Sequence, residues 1–118
     1  PVDNIAFNIF LKKFNEKYSD NLLEEQKTLL THYISSFADN SLELKVYLND
    51  EISRLKEQLQ KSRSAPEIKE DKEMAQKLEK VIEKLNSFAS AEINDDVLLS
   101  VLKTQNLTKE LASNGIND

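Results

Sequence analysis

Leu48-Asn49-Asp50-Glu51-Ile52-Ser53-Arg54-Leu55-Lys56-Glu57-Gln58-Leu59 is the stretch that decides the fold class. Its apolar residues recur after four, three and four positions, with polar or charged side chains at every position between. That is the period of one face of an α-helix and of a coiled-coil seam. A half-buried strand would alternate every second residue, and the run Asn49-Asp50-Glu51 breaks any such alternation. Glu57 and Lys61 add an ion pair in the favourable i, i+4 order. The stripe has two readings, a seam inside a hairpin of this chain or a seam shared with another chain; the internal one is preferred.

Composition carries the helical reading outward to the whole chain. The 118 residues include one Gly, Gly115, and two Pro, Pro1 and Pro66. Strand-rich folds need tight turns, which draw on residues that tolerate positive φ or pre-set φ. Helices joined by polar loops need neither. Charged residues make up 31% and apolar residues 39%, against usual values of about 25% and 45–50%, which suits thin amphipathic helices. The expectation is therefore an all-α fold of about five helices, in one domain over residues 1–118.

Upstream of the stripe, Asp3 or Asn4 can cap a first helix with Ile5, Ile9, Phe10, Phe14 and Tyr18 on its apolar face. A second helix follows, capped by Ser19, with Tyr18 and Leu23 as a hydrophobic staple, or by Asn21, with Glu24 in capping-box register. Its apolar side is Leu22, Leu29, Leu30, Tyr33, Ile34 and Phe37. These two helices make an antiparallel pair over residues 1–38. Asn40 and Glu43, again in capping-box register, open the third helix.

Downstream, Ser62 to Pro66 reads as a tight loop, with Pro66 suited to the first turn of a fourth helix. The charged run Glu67 to Glu73 then precedes a broad stripe of Met74, Ala75, Leu78, Val81, Ile82, Leu85, Phe88 and Ala89. Residues 41–91 thus form a second, long, coiled-coil-like hairpin with a polar tip near 61–66. Ile93, Asn94 and Leu98 make a second staple, with Asp95 and Asp96 suited to the first-turn dipole, opening a helix through about Gln105. The C-terminal helix and its tail span 94–112, with Leu107 and Leu111 on a last turn expected to fray.

Chemistry is nearly absent from this pattern. Phosphate-cradling loops and nucleophile elbows need several Gly, and Gly115 stands alone. The absence of Cys removes disulfides and thiolate metal sites. His32 is the sole His, and Leu29 stands where a di-iron motif would place Glu. His32 reads as a boundary residue. Asp39-Asn40-Ser41-Leu42-Glu43 starts like a calcium loop but puts Leu44 where the sharp turn needs Gly. No enzyme activity, cofactor or metal is expected. A net charge of −5 is the wrong sign for nucleic acid or anionic lipid. No apolar run reaches the roughly 20 residues of a membrane span, and no leader pattern is seen, which sets a cytoplasmic expectation.

Work done by surfaces is what remains. The aromatics crowd the N-terminal third, and Phe10, Phe14, Tyr18, Tyr33 and Phe37 are candidates for a groove that holds a partner helix. Leu48, Ile52, Leu55 and Leu59 join them if the seam is shared.

Phe14-Asn15-Glu16-Lys17-Tyr18, Leu22-Leu23-Glu24-Glu25-Gln26-Lys27-Thr28-Leu29-Leu30 and Tyr33-Ile34 resemble small proteins encoded among the head genes of T-even-like phages, especially marine ones. Asn94-Asp95-Asp96-Val97-Leu98-Leu99-Ser100-Val101-Leu102-Lys103 and Leu107-Thr108-Lys109-Glu110-Leu111 are similar to the end of the same proteins. The resemblance implies a non-catalytic prohead-core or head-assembly component, found in host cytoplasm or virion, with itself or other head proteins as partners. It also implies processing after Glu in triplets such as Leu23-Glu24-Glu25, Leu55-Lys56-Glu57 and Ile68-Lys69-Glu70. The alternative is a small helical adaptor or regulator holding one partner helix.

Overall fold

A computed structural model describes residues 4–88 and 92–116. Asp3, a candidate first cap, and Ala89, the last of the fourth helix's stripe, lie outside the described residues. Six α-helices make up the described chain: α1 Asn4–Tyr18, α2 Glu24–Phe37, α3 Ser41–Arg63, α4 Pro66–Lys69, α5 Lys72–Asn86 and α6 Asp95–Ser113. A 3-10 turn, Ser19–Asn21, joins α1 to α2. No strand occurs among the described residues. The fold is all-α, and none of its described helices is long and apolar enough to cross a membrane.

The chain gathers into two compact units, Pro1–Leu48 and Asn49–Asp118, with the boundary inside α3. In the first unit, α1 buries Phe7, Leu11 and Phe14, one turn apart along a single face. From α2 and the residue just before its N-cap come Leu22, Gln26, Leu30 and Tyr33, and from the first turns of α3 come Ser41, Leu44 and Leu48. Aromatic rings line this core. Phe14 and Tyr18 sit 4.8 Å apart between centroids, and Tyr47 meets Tyr33 at 5.8 Å and Phe37 at 5.4 Å. Tilted and edge-on pairs at these separations add roughly 0.5–1.5 kcal/mol each beyond their area.

The face of α1 differs from the expected one. Ile5 and Ile9 are 74% and 48% exposed, while Phe7 and Leu11 are inside. This helix is apolar on two sides, so periodicity alone leaves its rotation open. The side carrying Lys12, Lys13 and Glu16 turns to water, and Ile5 and Ile9 go with it. The start of α2 is also new. Neither Ser19 nor Asn21 caps it; the N-cap is Leu23. Leucine has no side-chain acceptor, so only the reverse half of a capping box forms, with the Leu23 backbone N–H donating to Gln26 Oε1 at 2.8 Å.

In the second unit, α3 contributes Ile52, Leu55 and Leu59, and α6 contributes Val97, Leu98, Val101, Leu102, Leu107 and Leu111. From α5 and its C-terminal edge come Leu78, Leu85 and Phe88. Polar links between helices fix their sense. Lys56 Nζ donates to Asn86 Oδ1 at 3.0 Å, and Arg63 pairs with Glu79, so numbers fall along α5 as they rise along α3. Gln105 Nε2 donates to Glu51 Oε2 at 2.6 Å, and Ser62 Oγ to the Ile116 carbonyl at 3.1 Å. Both pairs are 54 residues apart, so α6 runs beside α3 in the same direction and in one register.

Two expected caps hold. Glu43 N–H donates to Asn40 Oδ1 at 3.0 Å, and Val97 N–H to Asn94 Oδ1 at 3.0 Å. The expected fourth helix is split. Pro66 begins the short α4, and Asp71 then caps α5 by accepting from Met74 N–H at 3.1 Å. The tip is not wholly polar, since Ala65 and Ile68 are buried. The expected fraying tail is helix instead: α6 continues to Ser113 with Leu107 and Leu111 in the core. It stops in a Schellman motif. Ile116 N–H donates to the Leu111 carbonyl at 2.8 Å and Gly115 N–H to the Ala112 carbonyl at 3.0 Å, with Gly115 at φ 77°.

Candidate interaction surface

Of the nine residues proposed from sequence as an interaction surface, six are core. Phe14, Tyr33, Leu48, Ile52, Leu55 and Leu59 are all at most 5% exposed. The stripe on α3 is therefore buried within this chain. Phe10, Tyr18 and Phe37 are half-buried, each with its ring against another aromatic of the first unit. The correction has a plain physical cause. The largest apolar side chains in a thin helical unit are the ones its own core claims first.

What the first unit leaves outside is aliphatic. Ile5, Ile9, Leu23, Leu42 and Val46 are the large apolar residues found exposed among the described ones, at 48% to 74%, and all five lie between residues 5 and 46. Single exposed apolar residues need no explanation, but four of these come in pairs one turn apart. Ile5 and Ile9 share the side of α1 opposite Phe7 and Leu11. Leu42 and Val46 share the side of α3 opposite Leu44 and Leu48. Each pair is a short aliphatic ridge, and ridges of this kind are what packed helices seat in one another's grooves. Sequence reading missed Leu42 and Val46 because it starts the stripe of the third helix only at Leu48, leaving the first turns unread. The signal was present: Leu42, Leu44, Val46 and Leu48 place apolar residues on both sides of the helix.

His32 is exposed on α2, its Nδ1 3.4 Å from Ser36 Oγ. Asn40 is occupied as a helix cap. Asp96 pairs with Lys84 at 2.8 Å. In the second unit an open groove is lined by Gln60, Arg63, Gln76, Glu79, Lys80 and Ile82, among others. Its Arg63 and Glu79 neutralise each other across it. Among the described residues no group of three or more His, Asp or Glu is placed to hold a metal ion.

The three triplets implied as processing points are also unequal. Leu55 and Ile68 are buried, whereas Leu23, at the start of α2, is 55% exposed. No family model matches the chain, and neither a curated protein nor a solved structure does.

Proposed function

We propose that this chain is a non-enzymatic structural or assembly protein that works by protein–protein contact through the aliphatic ridges of its N-terminal helices. Its finer architecture is two successive antiparallel helical hairpins, the second long and coiled-coil-like, with a C-terminal helix beside them. The observation that carries the reading is the confinement, among the described residues, of exposed large aliphatic side chains to residues 5–46, over a unit that has already filled its own core. The resemblance of the Phe14–Ile34 and Asn94–Leu111 segments to head-gene proteins of T-even-like phages supplies the setting. Its partners are copies of itself or other head proteins, in host cytoplasm or virion. Neither nucleic acid nor membrane is a partner, in keeping with a net charge of −5.

The test uses the full chain with Ile9→Lys and Leu42→Lys, separately and together. Self-association is followed by size-exclusion chromatography with light scattering over a range of concentrations, and head-protein binding by co-purification. Wild type is expected to associate and the double variant to lose association at least tenfold. The far-UV signal of each variant stays unchanged, because exposed substitutions cost within about 0.5 kcal/mol. A wild type that is strictly monomeric and captures no head protein sinks the proposal.

The adaptor reading is favoured by the half-buried rings of Phe10, Tyr18 and Phe37, because partly exposed aromatics are the side chains that grooves for one amphipathic helix draw on. It predicts a saturable one-to-one complex and not a growing assembly, which light scattering separates.

A further inference from the structure

The last described helix ends on Ser113-Asn114-Gly115-Ile116, and Asn followed by Gly has a chemistry of its own. The backbone nitrogen after an Asn can attack its side-chain carbonyl to close a five-membered imide. A following Gly leaves that path open because it has no Cβ to shield the nitrogen. Nothing else crowds the position: a Cβ built on Gly115 would meet no atom within 4 Å. Both residues are exposed, so water reaches them.

The helix terminus holds every participant away from reaction. Asn114 has ψ 9°, so the Gly115 nitrogen eclipses Asn114's own nitrogen. Closing the imide requires it to eclipse Cβ instead, a large rotation. That rotation breaks the Gly115 N–H bond to the Ala112 carbonyl, 3.0 Å, and the Ile116 N–H bond to the Leu111 carbonyl, 2.8 Å. The leaving nitrogen is tied as well, since Asn114 Nδ2 donates to the Glu110 carbonyl at 3.0 Å. One link reaches outside the motif: the hydroxyl of buried Ser62 on α3 donates to the Ile116 carbonyl at 3.1 Å.

We infer that Asn114-Gly115 is a latent site of deamidation and isoaspartate formation, held closed by the Schellman motif and by Ser62, so that conversion reports opening of the α6 terminus. In the open state the bond from Gly115 N to Asn114 Cγ forms and the bond from Cγ to Nδ2 breaks. The Gly115 proton leaves with that nitrogen as ammonia. Water then opens the imide at either carbonyl, giving aspartate or isoaspartate. The change runs one way. An aspartate puts a carboxylate beside the carbonyl end of α6, against the helix dipole. An isoaspartate lengthens the main chain by one methylene, so the two closing bonds of the motif no longer meet in register.

The experiment is peptide mapping of the full chain, aged in mildly alkaline buffer either folded or unfolded in urea, scoring mass gain and isoaspartate at Asn114. Folded wild type is expected to convert at least about tenfold more slowly than unfolded chain, the ratio reflecting how rarely the terminus opens locally. Ser62→Ala should raise the folded rate about fivefold, the worth of one typical hydrogen bond, and leave the rate in urea unchanged. Ile116→Pro, which removes the N–H of the 2.8 Å bond, should do the same by a separate route. Far-UV circular dichroism on the same samples checks that both variants remain helical. Gly115→Ala should slow conversion in urea about tenfold or more, because its Cβ then shields the attacking nitrogen. Equal rates folded and unfolded overturn the inference, as does a folded rate that neither variant moves, or an unfolded chain that never converts at Asn114.

Discussion

The unit at residues 1–48 and the unit at 49–118 solve the same problem with different materials. All three tyrosines and four of the five phenylalanines lie in the first, and the second closes its core with Leu, Ile and Val plus Ala65 and Phe88. In the second, described polar links tie one helix to another at Lys56–Asn86, Arg63–Glu79, Lys84–Asp96, Gln105–Glu51 and Ser62–Ile116. In the first, large aliphatic side chains stand in water on α1, on α3 and at the start of α2. The difference teaches where folding ends and function starts. Among the described residues, the second unit leaves no large apolar side chain exposed, while the first fills its core and still exposes isoleucine and leucine, and exposed apolar side chains that cluster are what interaction surfaces are built from.

The strongest way to break that comparison is to show that the two cores are not both complete. Phe14→Ala should destabilise the first unit by about 3–5 kcal/mol, and Leu55→Ala the second by about 2–5 kcal/mol, since each empties a site at most 1% exposed. Against a total stability of roughly 5–15 kcal/mol either loss is large. Urea titration reads the first by tyrosine fluorescence, because Tyr18, Tyr33 and Tyr47 all belong to that unit. Far-UV circular dichroism reports helix in both units, so the part of its transition that tyrosine fluorescence does not share reads the second. A cost for Phe14→Ala no larger than that of Ile9→Lys would erase the distinction between core and ridge on α1.

How far this was legible from the sequence depends on how many faces each helix uses. The seam Leu48, Ile52, Leu55, Leu59 could be read because every residue between its members is polar, and all four are buried. Asn40 and Asn94 could be read because a side-chain oxygen three residues before a free N–H is a local fact. The rotation of α1 could not, since Ile5 and Ile9 compete with Phe7 and Leu11 and only the neighbouring helices decide. The break at Glu70 and Asp71 was hidden inside a charged run, where a capping Asp looks like any other acid. The length of α6 turned on Gly115 and Ile116, whose role emerges only when the closing carbonyls are in view. The candidate site suffered most. Phe14, Tyr33 and the α3 stripe were chosen for being large and apolar, and that is also why they went inside.

A middle-sized effect sharpens the comparison at the junction of α2 and α3. Asn40→Ala removes the acceptor for Glu43 N–H and should cost about 1 kcal/mol. Asn94→Ala should cost a similar amount at the start of α6. Thermal unfolding measured on both variants places the two caps on one scale. The paired result separates local helix-start chemistry, which the units share, from surface character, which they do not.

The smallest expected effect concerns the polar links that distinguish the second unit. Lys84 and Asp96 meet at 2.8 Å, but their side chains are 50% and 57% exposed. A pair in that setting is screened by water and salt and must hold two mobile side chains still, so its net contribution falls between zero and about 1 kcal/mol. Lys84→Ala should therefore lower the urea midpoint barely beyond error, and the loss should shrink further at high salt. A double-mutant cycle with Asp96→Ala isolates the coupling. Coupling well above 1 kcal/mol would mean that the link holds α5 to α6 in its own right. A small value leaves that task to Leu78, Leu85, Leu98 and Leu102, which are buried whatever the charges around them do.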